Sequence, residues 1–178
     1  MARISKKQKV LDEAYKLIDS EGFEAVTYDR LSAVTGMSKS GLIYHFPSRH
    51  AMLVAIHTMA AERWESEIID TLPEGTDLDS LTDKQRRRAA VKSMTKTGPL
   101  AEMSLQIHAR THPDFSAPWR AVEGRWMVDP SADASLEELM LTIVASGLWS
   151  HDHIFQRTLS DSNRAKIIEA ILAQESQG

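Results

Sequence analysis

The sequence predicts an all-α chain of about nine helices, with an N-terminal three-helix helix-turn-helix domain over residues 1–47 and a larger helical domain over residues 48–178. Three observations predict it. Apolar residues recur at helical spacing along almost the whole chain, with no alternating strand pattern or internal repeat to compete. Ser, Thr, Gly and Pro fall where helices must start and stop. Two short helical stretches between Thr27 and Tyr44 meet at Gly36, as in a helix-turn-helix.

The elements follow in order. Val10, Leu11, Ala14, Leu17 and Ile18 form one apolar stripe, which predicts a first helix over about 5–20. Gly22 reads as a left-handed stop, after which Phe23 and Val26 return to the core. Thr27 caps a second helix over about 28–35, Gly36 turns the chain, and Ser38 caps a third to about residue 44. Pro47 and Ser48 break and restart the chain for a long fourth helix, about 49–72, which Pro73-Glu74-Gly75 ends. A fifth helix is expected over about 78–97 and a sixth over about 100–111. The seventh opens at Pro113 or Asp114, the eighth covers about 135–155, and Ser160 caps a ninth to about 174.

Composition bounds the function. The chain has 178 residues, enough for a real core, and is 42% apolar and 26% charged, as in ordinary globular proteins. No apolar run reaches the 18 or so residues of a spanning helix, so no membrane partner is expected. The basic start lacks the apolar stretch of a signal peptide. Cysteine is absent, which excludes disulfides and thiolate metal sites and fits a cytoplasmic location. The net charge of −4 hides an asymmetry: residues 1–50 hold eight Lys/Arg against six Asp/Glu, and residues 51–178 hold thirteen against nineteen. A mildly basic head on an acidic body fits a DNA-reading module joined to another kind of module.

The head carries the sharper signal. Leu31, Val34, Leu42 and Phe46 can close a small core against the first helix, with Ala33 where helices approach closely. The third helix then presents Lys39, Ser40, Gly41, Tyr44 and His45 outward, short polar or cationic groups suited to a major groove. Thr27, Tyr28 and Ser38 start helices, where hydroxyls and N–H groups can meet phosphate. Arg49 adds a cation. The plainer alternative is a helical hairpin that merely packs.

The run Gly22-Phe23, Thr27, Leu31-Ser32, Thr35-Gly36-Met37-Ser38, Leu42-Ile43-Tyr44-His45-Phe46 and Leu53 resembles the N-terminal domain of TetR-family repressors. Many members carry Lys-Glu where this chain has Arg49-His50. The resemblance implies an all-helical homodimer whose two heads read a palindromic operator in double-stranded DNA. It implies contacts from Thr27, Tyr28, Ser38, Lys39, Ser40, Gly41, Tyr44, His45 and Arg49.

The body has no phosphate-binding Gly loop, no Gly-x-Ser-x-Gly and no His-Glu-x-x-His, so no enzyme and no cofactor are expected. Its aromatic and Met residues could be ordinary core, or could line a plastic pocket for a small-molecule inducer. The candidates are Trp64, Met94, Met103, Ile107, Phe115, Trp119, Trp149 and Asp152. Glu65, Glu102 and Glu123 lie near them in sequence, and aromatic faces beside a carboxylate suit a lipophilic cation. His112-Pro113-Asp114-Phe115 with Trp119-Arg120 and Trp126 resembles the multidrug-binding efflux repressors of the TetR family. His108, His112, His151 and His153 leave open a metal site against plain polar and capping roles. Arg86-Arg87-Arg88 reads as a solvated face. The eighth helix is apolar almost all round, which expects a partner subunit on one side of it. The sequence therefore reads as a ligand-responsive regulator, the alternative being a metal-sensing or small-molecule-sequestering helical protein.

Overall fold

A computed structural model describes residues 5–96, 98–129, 133–155 and 158–174, without the side chains of Asp152, Leu172 and Gln174. Among these residues there are nine α-helices, two single 3-10 turns and no strand. The helices are α1 (Lys6–Glu21), α2 (Tyr28–Thr35), α3 (Lys39–His45), α4 (Arg49–Ile69), α5 (Asp83–Ser93), α6 (Leu100–Ala109), α7 (Pro113–Trp126), α8 (Leu136–Ile154) and α9 (Asp161–Gln174). The 3-10 turns are Phe23–Ala25 and Leu78–Ser80.

The chain forms two compact units. The first gathers the described residues up to Glu62 with Pro99–Trp119, and the second gathers Arg63–Gly98 with those from Arg120 onward. The expected boundary after residue 47 thus differs from the packing. Most of α4, all of α6 and the first half of α7 belong with the head. Asp19 on α1 explains part of this: its Oδ1 accepts the Ala101 N–H at 2.9 Å. The first turn of α6, whose N-cap position is a proline without a capping side chain, is satisfied from α1 instead.

Within the first unit, Val10, Ile18, Leu31, Leu42, Phe46, Met52, Ile56 and Leu105 are fully buried. Each contributes on the order of 1.5–3 kcal/mol of apolar burial. Val34 is only half-buried, and Ala33 is exposed rather than at a helix crossing. Gly22 has φ 81 and ψ 179, so its conformation is the extended positive-φ region rather than the left-handed helix; both are open to glycine above all. Gly36, at φ 72 and ψ 10, is the left-handed residue of the turn.

In the second unit, Val91, Leu141, Ala145, Leu148 and Ile171 form the core, with Met94, Leu159, Ile167 and Ile168 against it. The fifth helix is shorter than expected. Thr82 accepts from the Gln85 N–H while Gln85 Oε1 accepts from the Thr82 N–H, a capping box that starts α5 afresh after the 3-10 turn. Of the triple arginine, expected as a solvated face, Arg88 is exposed, whereas Arg86 and Arg87 are half-buried. Arg86 donates to the Leu78 carbonyl and lies over the Trp126 ring, and Arg87 pairs with Glu138.

Candidate nucleic-acid interface and effector residues

The head is held by local hydrogen bonds that leave one face of α3 outward. Thr27 Oγ1 accepts from the Arg30 N–H at 3.1 Å and starts α2. Ser32 Oγ donates to the Met37 carbonyl, and Thr35 Oγ1 donates to the Leu31 carbonyl, both at 2.6 Å, which braces the turn. Ser38 Oγ accepts from the Gly41 N–H at 3.2 Å and lies 3.1 Å from Ser40 Oγ. A Cβ on Gly41 would meet Met37 Cγ at 3.0 Å, so this glycine answers a crowded turn inside the head.

The expected contact residues divide into two sets. Lys39, Ser40 and Tyr44 are exposed, Tyr44 at 85%, and His45 is half-buried with its ring edge-on to Tyr44. Tyr28 and Arg49 are tied inward. The Tyr28 hydroxyl donates to the Phe46 carbonyl at 2.6 Å, so its only proton is used within the head. Arg49 donates to the carbonyls of Val26 and Phe23 at 3.2 and 3.0 Å, leaving its remaining N–H groups for a phosphate. Lys39 is paired with Asp29 at 2.5 Å, both well exposed. An exposed pair of this kind is worth about 0–1 kcal/mol, which a phosphate can replace.

The effector candidates also divide. In the first unit Met103, Phe115 and Trp119 are buried, whereas Ile107 is 65% exposed. Trp119 belongs to an aromatic and imidazole stack that the sequence did not reveal. Its Nε1 donates to His57 Nδ1 at 3.0 Å, and His57 Nε2 lies 2.9 Å from His108 Nδ1. The indole N–H fixes His57 Nδ1 as acceptor, so His57 Nε2 carries the proton and donates to His108. Phe23 stacks on His108 at 4.0 Å, and Phe115 on His57 at 5.1 Å. Burial, reinforced by His108, pushes the His57 imidazole down from 6.5 to about 4. Burial lowers His108 as well, helped by Arg49 and opposed by Glu24. His57 sits in the apolar stripe of α4, and its position there was the one available signal.

In the second unit Trp64 and Trp149 are half-buried, and Met94 flanks the core. Asp152 lies outside the described side chains. Glu65 is committed: Arg125 donates to it twice, at 2.7 and 2.6 Å, and the Trp126 indole N–H donates at 2.7 Å. The Arg125 hydrogen bonds hold its carboxyl below the usual range. Glu123 moves the other way, raised by burial although Arg120 pulls it back. A cleft of about 430 Å³ opens elsewhere in this unit, lined by residues including Leu72, Pro73, Leu81, Gln85, Arg88 and Lys92. None of the expected effector residues lines it.

The four histidines weighed as a metal group separate. His108 pairs with His57, and His112 neighbours His50 and Asp114. His151 and His153 lie on α8 in the other unit, where Trp149 meets the His153 ring edge-on.

On α8, Leu141, Ala145 and Leu148 face the core, while Leu136, Met140, Ile143 and Val144 are exposed at 74, 53, 69 and 43%. A Cβ on Gly147, which shares that outer face, would meet nothing within 4 Å.

Comparison with known proteins gives these residues a context. Residues 10–56 match the family profile described as bacterial regulatory proteins, tetR family. Residues 80–175 match the profile of the tetracyclin repressor-like C-terminal domain. The HTH-type transcriptional regulator RutR of Escherichia coli strain K12 is 28% identical over 60 residues, 34% of this chain and 28% of RutR. The match therefore spans less than a third of that relative's length. A Rhodococcus sp. structure described as a TetR-family transcriptional regulator has a TM-score of 0.68 at 17% identity, covering 96% of this chain and 98% of its own. A structure from Saccharomonospora viridis, described as a transcriptional regulator in complex with choline, has a TM-score of 0.66 at 16% identity, covering 97% and 96%. At these identities the likeness establishes the fold.

Proposed function

Because the chain belongs to the TetR family of bacterial transcriptional regulators, we propose that it is a repressor that binds a palindromic operator as a homodimer and is released by a small inducer. The observation that carries the reading is the outward face of α3, where Lys39, Ser40 and Tyr44 are exposed on a helix capped by Ser38. Such a helix can lay its N-terminal residues against base edges in a major groove. Thr27 adds a helix start that can meet phosphate. Reading a palindrome requires two heads, and the outer face of α8 supplies an apolar surface for a second copy.

The inducer is proposed to be a lipophilic cation. Aromatic faces suit such a ligand, and the regulator from Saccharomonospora viridis with a similar fold holds choline. Helix α4 is one continuous helix from Arg49 to Ile69 and contributes residues to both units. An inducer acts when it binds better to a conformation whose two recognition helices no longer fit successive major grooves.

Fluorescence anisotropy with duplexes tiled across the promoter of the protein's own gene tests this. One tile should bind far more tightly than random duplex, with a steep salt dependence. Adding a cationic dye such as proflavine should then release it. Equal affinity for every tile and for random duplex removes the proposal.

A further inference from the structure

Three side chains outside α3 converge within the first unit. His50 stands on the first turn of α4, His112 just before α7, and Asp114 in the first turn of α7. His50 Nε2 lies 2.9 Å from Asp114 Oδ2, and His112 Nδ1 lies 3.5 Å from the same oxygen. All three ligand atoms fall within 4.8 Å of one another, and all three residues are open to solvent. Their rings are braced. The two imidazoles meet edge-on at 4.6 Å, and the Phe115 ring lies 4.9 Å from His50 and 5.3 Å from His112.

We propose that His50, His112 and Asp114 bind a first-row divalent transition cation such as Zn²⁺ or Ni²⁺. Imidazole nitrogens select these ions over Mg²⁺ and Ca²⁺, which take oxygen donors. Tetrahedral Zn²⁺ with bonds of about 2.0–2.2 Å sets its ligands roughly 3.3–3.6 Å apart. The 3.5 Å separation of His112 Nδ1 from Asp114 Oδ2 falls in that span, and His50 Nε2, at 2.9 Å, has only to move slightly away to reach it. A fourth position stays open to water or an added ligand, as in sites with three protein donors. The proton balance is simple. His112 Nδ1 accepts the Asp114 backbone N–H at 3.1 Å, so that nitrogen carries no proton, and the ion takes its one lone pair in place of that hydrogen bond. The proton that His50 Nε2 shares with Asp114 must leave that nitrogen, the ring passing to its Nδ1–H tautomer, so that Nε2 can give its lone pair to the ion.

The site ties two separate elements. Arg49, next to His50, is fastened to the Phe23 and Val26 carbonyls that precede α2. An ion here therefore clamps the start of α7 to the stretch of chain that carries the helix-turn-helix. The site stands independently of operator binding, because metal affinity is measured without DNA.

The full chain, purified without a polyhistidine tag, is titrated with Zn²⁺ and Ni²⁺ by calorimetry. One ion per chain is expected, together with a Zn²⁺-dependent rise in melting temperature. His50→Gln and Asp114→Asn should each weaken binding at least about tenfold and abolish that rise. The double variant His151→Gln with His153→Gln should bind as the wild type does. Circular dichroism checks the fold of each variant. Full affinity in both His50→Gln and Asp114→Asn overturns the proposal. So does binding that disappears only in the His151/His153 variant, or no binding by the wild type at pH 7.5.

Discussion

Two helices leave a broad face uncovered, and they do so with opposite chemistry. The outer face of α3 is short, polar and cationic, with Lys39, Ser40 and Tyr44 exposed. The outer face of α8 is apolar, with Leu136, Met140, Ile143 and Val144 beside Gly147. A monomer gains nothing from exposing either. The contrast teaches that exposure alone does not name a partner, whereas the chemistry of the exposed atoms does. An exposed polar and cationic helix face suits a polyanion. A contiguous apolar stripe suits a copy of itself.

The largest predicted effect comes from spoiling the apolar face. Ile143→Glu combined with Met140→Glu should convert a dimer to a monomer in sedimentation and lower operator affinity about a hundredfold or more, since each half-site contact is then made alone. The helix content and the monomer fold should persist, because neither side chain is buried. A fully dimeric double variant breaks the comparison at α8.

Next in size is the polar face. Tyr44→Ala and Lys39→Ala should each weaken operator binding by about 1–3 kcal/mol without lowering the melting temperature. Unchanged affinity in both variants breaks the comparison at α3.

Acid must be separated from both faces. His57 is buried and its folded value is depressed to about 4 from an ordinary 6.5. A neutral imidazole is favoured in the fold, so the stability it supports is complete above pH 6.5 and is lost as pH falls from 6.5 towards 4. Melting temperature measured across that window should drop in the wild type. His57→Gln, which cannot titrate, should flatten the profile. A wild-type profile that is already flat contradicts the buried imidazole relay.

The smallest effect sharpens the α3 side. Asp29→Asn removes the carboxylate that holds Lys39. Operator affinity should rise by a few-fold at most, since such exposed pairs are worth about 0–1 kcal/mol. A fall in affinity would mean that Asp29 positions Lys39 for the DNA.

Local chemistry explains which parts were legible in the sequence. The caps at Thr27, Ser38 and Ser135, the turn at Gly36 and the stripe of α1 act through neighbours a few residues away, so α1, α2, α3 and α8 could be drawn nearly to their ends. The fifth helix is shorter than its apolar spacing suggests because the Thr82–Gln85 box, itself a local signal, starts it at Asp83. What stayed hidden depends on distant partners. Asp19 caps a helix 82 residues further on, and His57 meets His108 and Trp119 across comparable gaps. Tyr28 and Arg49 resemble contact residues in sequence, yet the structure ties the Tyr28 proton and part of the Arg49 guanidinium to carbonyls of the head. Residue type alone cannot show which donors remain for an outside partner.

The central claim is that the α3 face reads DNA sequence in a two-fold arrangement. Selection from a pool of random duplexes tests it most directly. The account predicts enrichment of an inverted repeat whose half-sites lie in successive major grooves, and loss of that enrichment with Tyr44→Ala. A pool that yields no common sequence, or the same sequence with Tyr44→Ala as with the wild type, would contradict it.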